Sequence, residues 1–78
     1  MDLKIKLVGR LKEYWNDGSS VEVTEGATVL DVLKQLNIPD EEAGMVAIND
    51  ESVPRKERGI VKVVPGDSMT ILPMVHGG

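Results

Sequence analysis

The sequence predicts an α+β domain: a mixed sheet of four to five strands with one main helix across one face. Three observations lead there. The chain opens and closes on alternating segments, Leu3, Ile5 and Leu7 against Lys4 and Lys6, and Met69 and Ile71 against Thr70 and Leu72. A period of two is that of a half-buried strand. Between them Val29, Val32, Leu33 and Leu36 fall at i, i+3, i+4 and i+7, the apolar stripe of an amphipathic helix. Finally, 78 residues amount to one small domain, residues 1–78, with residues 73–78 expected as a flexible C-terminal tail. A chain of this size buries only about 60% of its unfolded surface, so its core has to be compact. With no Phe, one Trp and one Tyr, that core has to be aliphatic.

In chain order, the first strand covers Leu3 to Leu7, and Gly9 to Trp15 reads as a loop or a short turn of helix. Asn16-Asp17-Gly18-Ser19 is turn chemistry, because Asn, Asp and Gly tolerate positive φ. Val21 and Val23, alternating with Ser20, Glu22 and Thr24, give a second strand that pairs with the first as an antiparallel hairpin. Thr28 opens the helix, with Asp31 three residues on at capping-box spacing; Leu30 lies at the margin of the stripe. Asn37-Ile38-Pro39 ends the helix, since the residue before a proline avoids the helical region. A helix this short is not stable alone and needs a sheet beneath it.

Asp40-Glu41-Glu42 reads as a solvated acidic loop, lacking the alternating oxygen ligands of a calcium site. Met45 to Asn49 is a third strand, Asn49-Asp50 a turn, and Val53-Pro54 the start of a short edge element. Arg55-Lys56-Glu57-Arg58 reads as a solvated loop. Ile60, Val61, Val63 and Val64 form a short strand or turn, and Pro65-Gly66-Asp67 a tight turn before the last strand, which Pro73 ends. Two hairpin strands followed by a helical crossover suggest a mixed sheet with one helix across its face. The alternation at both ends of the chain fits a plan in which the first and last strands lie side by side and parallel at the sheet centre. That is the ubiquitin-like β-grasp plan.

Composition excludes several functions. Without cysteine there is no disulfide and no thiolate zinc site. A net charge of −4 argues against nucleic acid as a partner, since phosphate neutralisation needs a basic surface. No run approaches the roughly 18 apolar residues of a membrane span, and Met1 to Lys6 alternates charge with apolar residues, unlike a signal peptide. A cytoplasmic location is expected. His76 is the only histidine, so no Ser-His-acid arrangement can form, and no phosphate-binding glycine motif occurs. His76 itself reads as a polar spacer.

The remaining chemical feature is Gly77-Gly78. Two residues without Cβ bend freely and pass a channel too narrow for other side chains. The candidate reactive group is the α-carboxylate of Gly78. A carboxylate is a poor electrophile and must be activated, most simply as an acyl adenylate made with ATP by a partner enzyme. The acyl group then accepts sulfur, giving a thiocarboxylate, or an amine, giving an isopeptide. Lacking cysteine, a sulfur carrier of this sequence has only its terminus to load.

Pro65 to Gly78 resembles the ending of the MoaD and ThiS sulfur carriers: a Gly-Asp turn, an apolar strand, proline and Gly-Gly. Glu25 to Leu33 is similar to the stretch that opens that family's helix, and Ala47-Ile48-Asn49 to its middle strand. The resemblance implies a carrier rather than an enzyme, binding no cofactor itself. An adenylating enzyme using ATP would activate Gly78, a persulfide sulfurtransferase would supply sulfur, and Gly77 would give clearance in the channel. Leu72, Pro73, Val75 and His76 would contact partners, among them the large catalytic subunit of a molybdopterin synthase. Members like the small subunit of that enzyme usually carry two prolines before the tail. Here Met74 replaces the second, and Pro73 leans the reading toward molybdopterin. A thiamine thiazole sulfur carrier, a protein modifier conjugated through Gly78, and a bare β-grasp interaction module are the alternatives.

Overall fold

The computed structural model describes residues 1–15 and 18–75. Its strands are β1 (Asp2–Leu7), β2 (Ser20–Glu22), β3 (Ala43–Ile48), β4 (Glu51–Val53) and β5 (Ser68–Pro73), with one α-helix, α1 (Val29–Gln35). Short 3-10 turns cover Gly9–Tyr14, Asp40–Glu42 and Arg55–Glu57. The strands form one five-stranded sheet in the order β2-β1-β5-β3-β4. β1 and β5 run parallel, with Lys4 opposite Ser68 and Leu7 opposite Ile71, and the other pairs are antiparallel. This is the β-grasp arrangement, with first and last strands adjacent inside the sheet.

Alternation decides which face of each strand is buried. Leu3 and Ile5 of β1, Val21 of β2, Val46 of β3, Val53 of β4, and Met69 and Ile71 of β5 are buried together with Val29, Val32 and Leu33 of the helix and Leu36 at its C-cap. No helix among the described residues is long and apolar enough to cross a membrane.

The helix start leaves no orphan donor in its first turn. Thr28 Oγ1 accepts from the Asp31 N–H at 3.2 Å, and Asp31 Oδ2 accepts from the Thr28 N–H at 3.0 Å, closing the capping box. Val29 and Leu30 donate to the carbonyls of Val61 and Arg58, at 3.0 and 2.8 Å. The stretch expected as a short strand or turn after Ile60 thus packs across the helix N-terminus. Its only ladder contact among the described residues is a single bridge, Thr28 to Lys62. At the other end Asn37 stands at φ 62, the left-handed position of a Schellman motif. Ile38 N–H reaches Leu33 O at 2.9 Å and Asn37 N–H reaches Lys34 O at 3.0 Å. Asn37, as much as Pro39, therefore stops the helix.

Asn49 and Asp50, at φ 51 and 70, form the two-residue β3–β4 hairpin with both central residues left-handed, as a type I′ turn requires. The Asn49 side chain donates to Asp67 Oδ1 at 2.8 Å and accepts from the Ser68 N–H at 3.0 Å. That turn thereby fixes where β5 begins.

The charged stretch Arg55 to Arg58 departs from expectation. It is not a solvated loop throughout: Arg58 is only 2% exposed. Its guanidinium meets Asp40 Oδ1 at 2.8 Å, and Arg55 meets Asp40 Oδ2 at 2.9 Å. Asp40 accordingly belongs to a structural ion cluster rather than a solvated acidic face. A buried charge without such partners carries a heavy desolvation cost.

Candidate functional site

The site is the place where β5 leaves the sheet. Ile71 is buried on the helix side, so Leu72 lies on the opposite face, half-buried, as alternation demands. β3 runs beside it, with Met45 opposite Leu72 and Ala43 opposite Pro73, and a register shift between Ala43 and Met45. Gly44 occupies that bulge. A Cβ there would lie 2.8 Å from Pro73 O and 2.9 Å from Met74 Cα. Only glycine lets the departing backbone come so close.

Beyond Pro73 the backbone is still held. Met74 N–H donates to Glu42 O at 2.9 Å. Its carbonyl accepts from Arg10 Nη2 at 2.8 Å, and the same nitrogen donates to Glu42 Oε2 at 3.1 Å. On the β1 side, Val8 N–H donates to Ile71 O at 3.2 Å, and Pro73 Cγ lies 3.4 Å from where a Gly9 Cβ would stand. The exit is thus a cradle with two walls, Gly9-Arg10 on one side and Glu42 to Gly44 on the other.

The ion cluster braces the second wall. Arg55 donates to Asp40 O at 2.8 Å and Ala43 O at 3.0 Å, in addition to the Asp40 carboxylate. Burial pushes the Asp40 carboxyl up, but hydrogen bonds and charge from Arg58 and Arg55 outweigh it and hold the group below its ordinary 3.8.

Gly44, Met45, Leu72, Pro73, Met74 and Val75 line a shallow, mainly apolar groove of about 450 Å³. Met45 and Val75 are 48% and 83% exposed. Of the residues expected at the site, Leu72, Pro73 and Val75 meet in this groove. His76, Gly77 and Gly78 lie outside the described residues. Arg10, Glu42, Gly44 and Met45 were not anticipated. A glycine interrupting the Ala43–Ile48 strand is a bulge signal that the sequence does carry. Arg10 has none, because its partner carbonyl stands 64 residues away.

The sequence profile of the ThiS family matches residues 5–78. No protein of curated function matches the chain by sequence. Among solved structures, SAMP1 from Haloferax volcanii is similar at 26% identity and TM-score 0.68, with both chains covered in full. A putative molybdopterin converting factor subunit 1 from Pyrococcus furiosus aligns at 21% identity and TM-score 0.70, over 95% of this chain and 98% of that one. Subunit 1 in a complex of subunits 1 and 2 of the molybdopterin-converting factor from Helicobacter pylori aligns at 16% identity and TM-score 0.58, covering both chains in full. At those identities the last two show the fold alone.

Proposed function

Because the chain belongs to the ThiS family, within the MoaD/ThiS group of ubiquitin-like sulfur carriers, we propose that Gly78 is the residue that carries the sulfur. The observation that carries this reading is that the family match runs through Gly77-Gly78. A partner enzyme uses ATP to convert the Gly78 carboxylate to an acyl adenylate, releasing pyrophosphate. The persulfide of a sulfurtransferase then displaces AMP to give an acyl disulfide, and a second thiol attacks the sulfurtransferase sulfur of that bond, forming a disulfide with it and releasing the thiocarboxylate. Acyl transfer needs this activation because the carboxylate is itself unreactive toward nucleophiles. Gly77 supplies the narrow cross-section that a channel to the active site demands.

The destination we assign to the sulfur is a pterin precursor of molybdopterin, with a large catalytic subunit as partner. Pro73 before the tail favours it, and the Helicobacter pylori protein of the same fold stands in a complex with a second subunit. Leu72, Pro73 and Val75 then serve as the apolar contact, since the core of an interface is its apolar part. His76 follows Val75 as a polar contact. The chain contributes no catalytic group in this scheme; it is the substrate that is loaded and emptied.

The test is intact mass of the protein from its own cells, before and after a thiol-alkylating reagent. Exchange of oxygen for sulfur resembles oxidation of one of the four methionines, but only a thiocarboxylate reacts, because the chain has no cysteine. An adduct mapped to Gly78 is the expected result. No adduct with the activating enzyme present and sulfur supplied would overturn the carrier reading. Higher-mass conjugates through Gly78 would replace it with protein modification, and molybdopterin made normally without the protein would redirect the sulfur to another product such as the thiamine thiazole.

A further inference from the structure

We propose that Arg10 is a positioning residue, which fixes the direction in which the chain leaves the sheet and so aims the terminal residues into a partner's active site. This rests on the carrier reading above. Met74 is bonded through both its backbone groups, its N–H to Glu42 O at 2.9 Å and its carbonyl to Arg10 at 2.8 Å. The guanidinium is in turn braced by the Glu42 carboxylate at 3.1 Å. Arg10 and Glu42 side chains are 47% and 33% exposed, and exposed pairs of this kind add little to stability. What the bridge does accomplish is geometric. It crosses the departing backbone from wall to wall, at the last residue before the chain passes out of the cradle.

The base of that bridge is firm. Arg10 sits in the 3-10 turn whose Leu11 is buried, and Val8 before it is bonded to Ile71. A planar guanidinium on such a base loses little freedom when it accepts this task, whereas a flexible ammonium loses more. Gly78 lies four positions beyond Met74, so the terminus reaches at most about 14 Å from the anchored carbonyl. Releasing Met74 leaves the Glu42 bond alone to hold it. The terminus then samples more directions, and the fraction of bound carriers with the carboxylate in line for attack on ATP falls. Loss of alignment lowers the rate within the complex rather than the affinity of docking.

The experiment is adenylation of the carrier by the activating enzyme of its own cells, read as pyrophosphate release against carrier concentration. Wild type, Arg10→Ala, Arg10→Lys and, as a control, Lys12→Ala are compared. Arg10→Ala is expected to lower kcat roughly ten-fold or more, with KM within about two-fold of wild type. Arg10→Lys restores part of kcat through one cationic donor, and Lys12→Ala matches wild type. A raised KM with kcat unchanged would make Arg10 a docking contact and overturn the proposal, as would Arg10→Ala equal to wild type in both constants. Wild type that releases no pyrophosphate would overturn the carrier reading itself, a result distinct from either.

Discussion

A missing Cβ at residue 44 and a buried guanidinium at residue 58 together shape the exit of the chain. At Gly44 the atoms that a methyl group would strike, Pro73 O and Met74 Cα and N, all belong to the backbone and cannot rotate aside. Gly44→Ala is therefore expected to cost about 1–3 kcal/mol, the range for overpacking. Urea denaturation gives the loss, and faster amide exchange at Met74 shows that it falls on the cradle. An unchanged midpoint with Met74 still protected would sink the idea. Asp40 supplies a pH dependence. Its folded carboxyl titrates below the ordinary 3.8, so it favours folding above the unfolded pKa and loses that contribution as pH falls through the folded value. Stability of wild type should then drop more steeply below about pH 4 than that of Asp40→Asn, which never has the charge to lose. Parallel urea midpoints of the two proteins across that acid range would refute this. The sequence showed Arg58 only as part of a charged run. Its partner lies 18 residues earlier, and no local pattern marks a pairing that folding alone creates.

Elements were more legible than side-chain partners, because periodicity is a property of neighbours in the chain. The helix and its capping box followed from the spacing of Thr28, Asp31 and the apolar stripe, and both hydrogen bonds of the box are formed. The hydrogen bond from the Thr28 backbone N–H holds the Asp31 carboxyl below its usual range. Thr28→Ala removes the acceptor for the Asp31 N–H and should destabilise the protein by about 1 kcal/mol. A urea midpoint within error of wild type would mean that another group takes over the cap. The stretch from Ile60 to Val64 was harder to read. Its valines look strand-like, yet it makes a single bridge, Thr28 to Lys62, and its Val61 carbonyl accepts from the first helical N–H. Tertiary demand for acceptors overrode β-propensity there. The bulge at Gly44 was not foreseen, because the third strand was expected to begin at Met45 and instead begins at Ala43, which places the glycine inside it.

At the scale of the whole molecule, alternation marked both ends of the chain as strands, but their parallel pairing was anticipated only through the β-grasp plan that the order of elements suggested. That pairing of distant segments, with β3 added on the far side of β5, makes β5 the middle strand of the five. The candidate site could be foreseen only in part, because a cradle assembled from residues 9–10, 42–44 and 72–75 exists in space before it exists in any stretch of sequence. The central place of β5 also bears on how the protein is made. Ribosomes deliver the chain from its N-terminus, so the strand that completes the sheet is the last of the five to emerge. A nascent chain stalled before Ser68 has β1 and β3 with nothing between them, and the apolar faces meant for Met69 and Ile71 stay wet. Exposed apolar surface and unpaired strand edges of that kind make a fragment prone to aggregate. A complete sheet therefore requires translation at least as far as Pro73, where its middle strand ends.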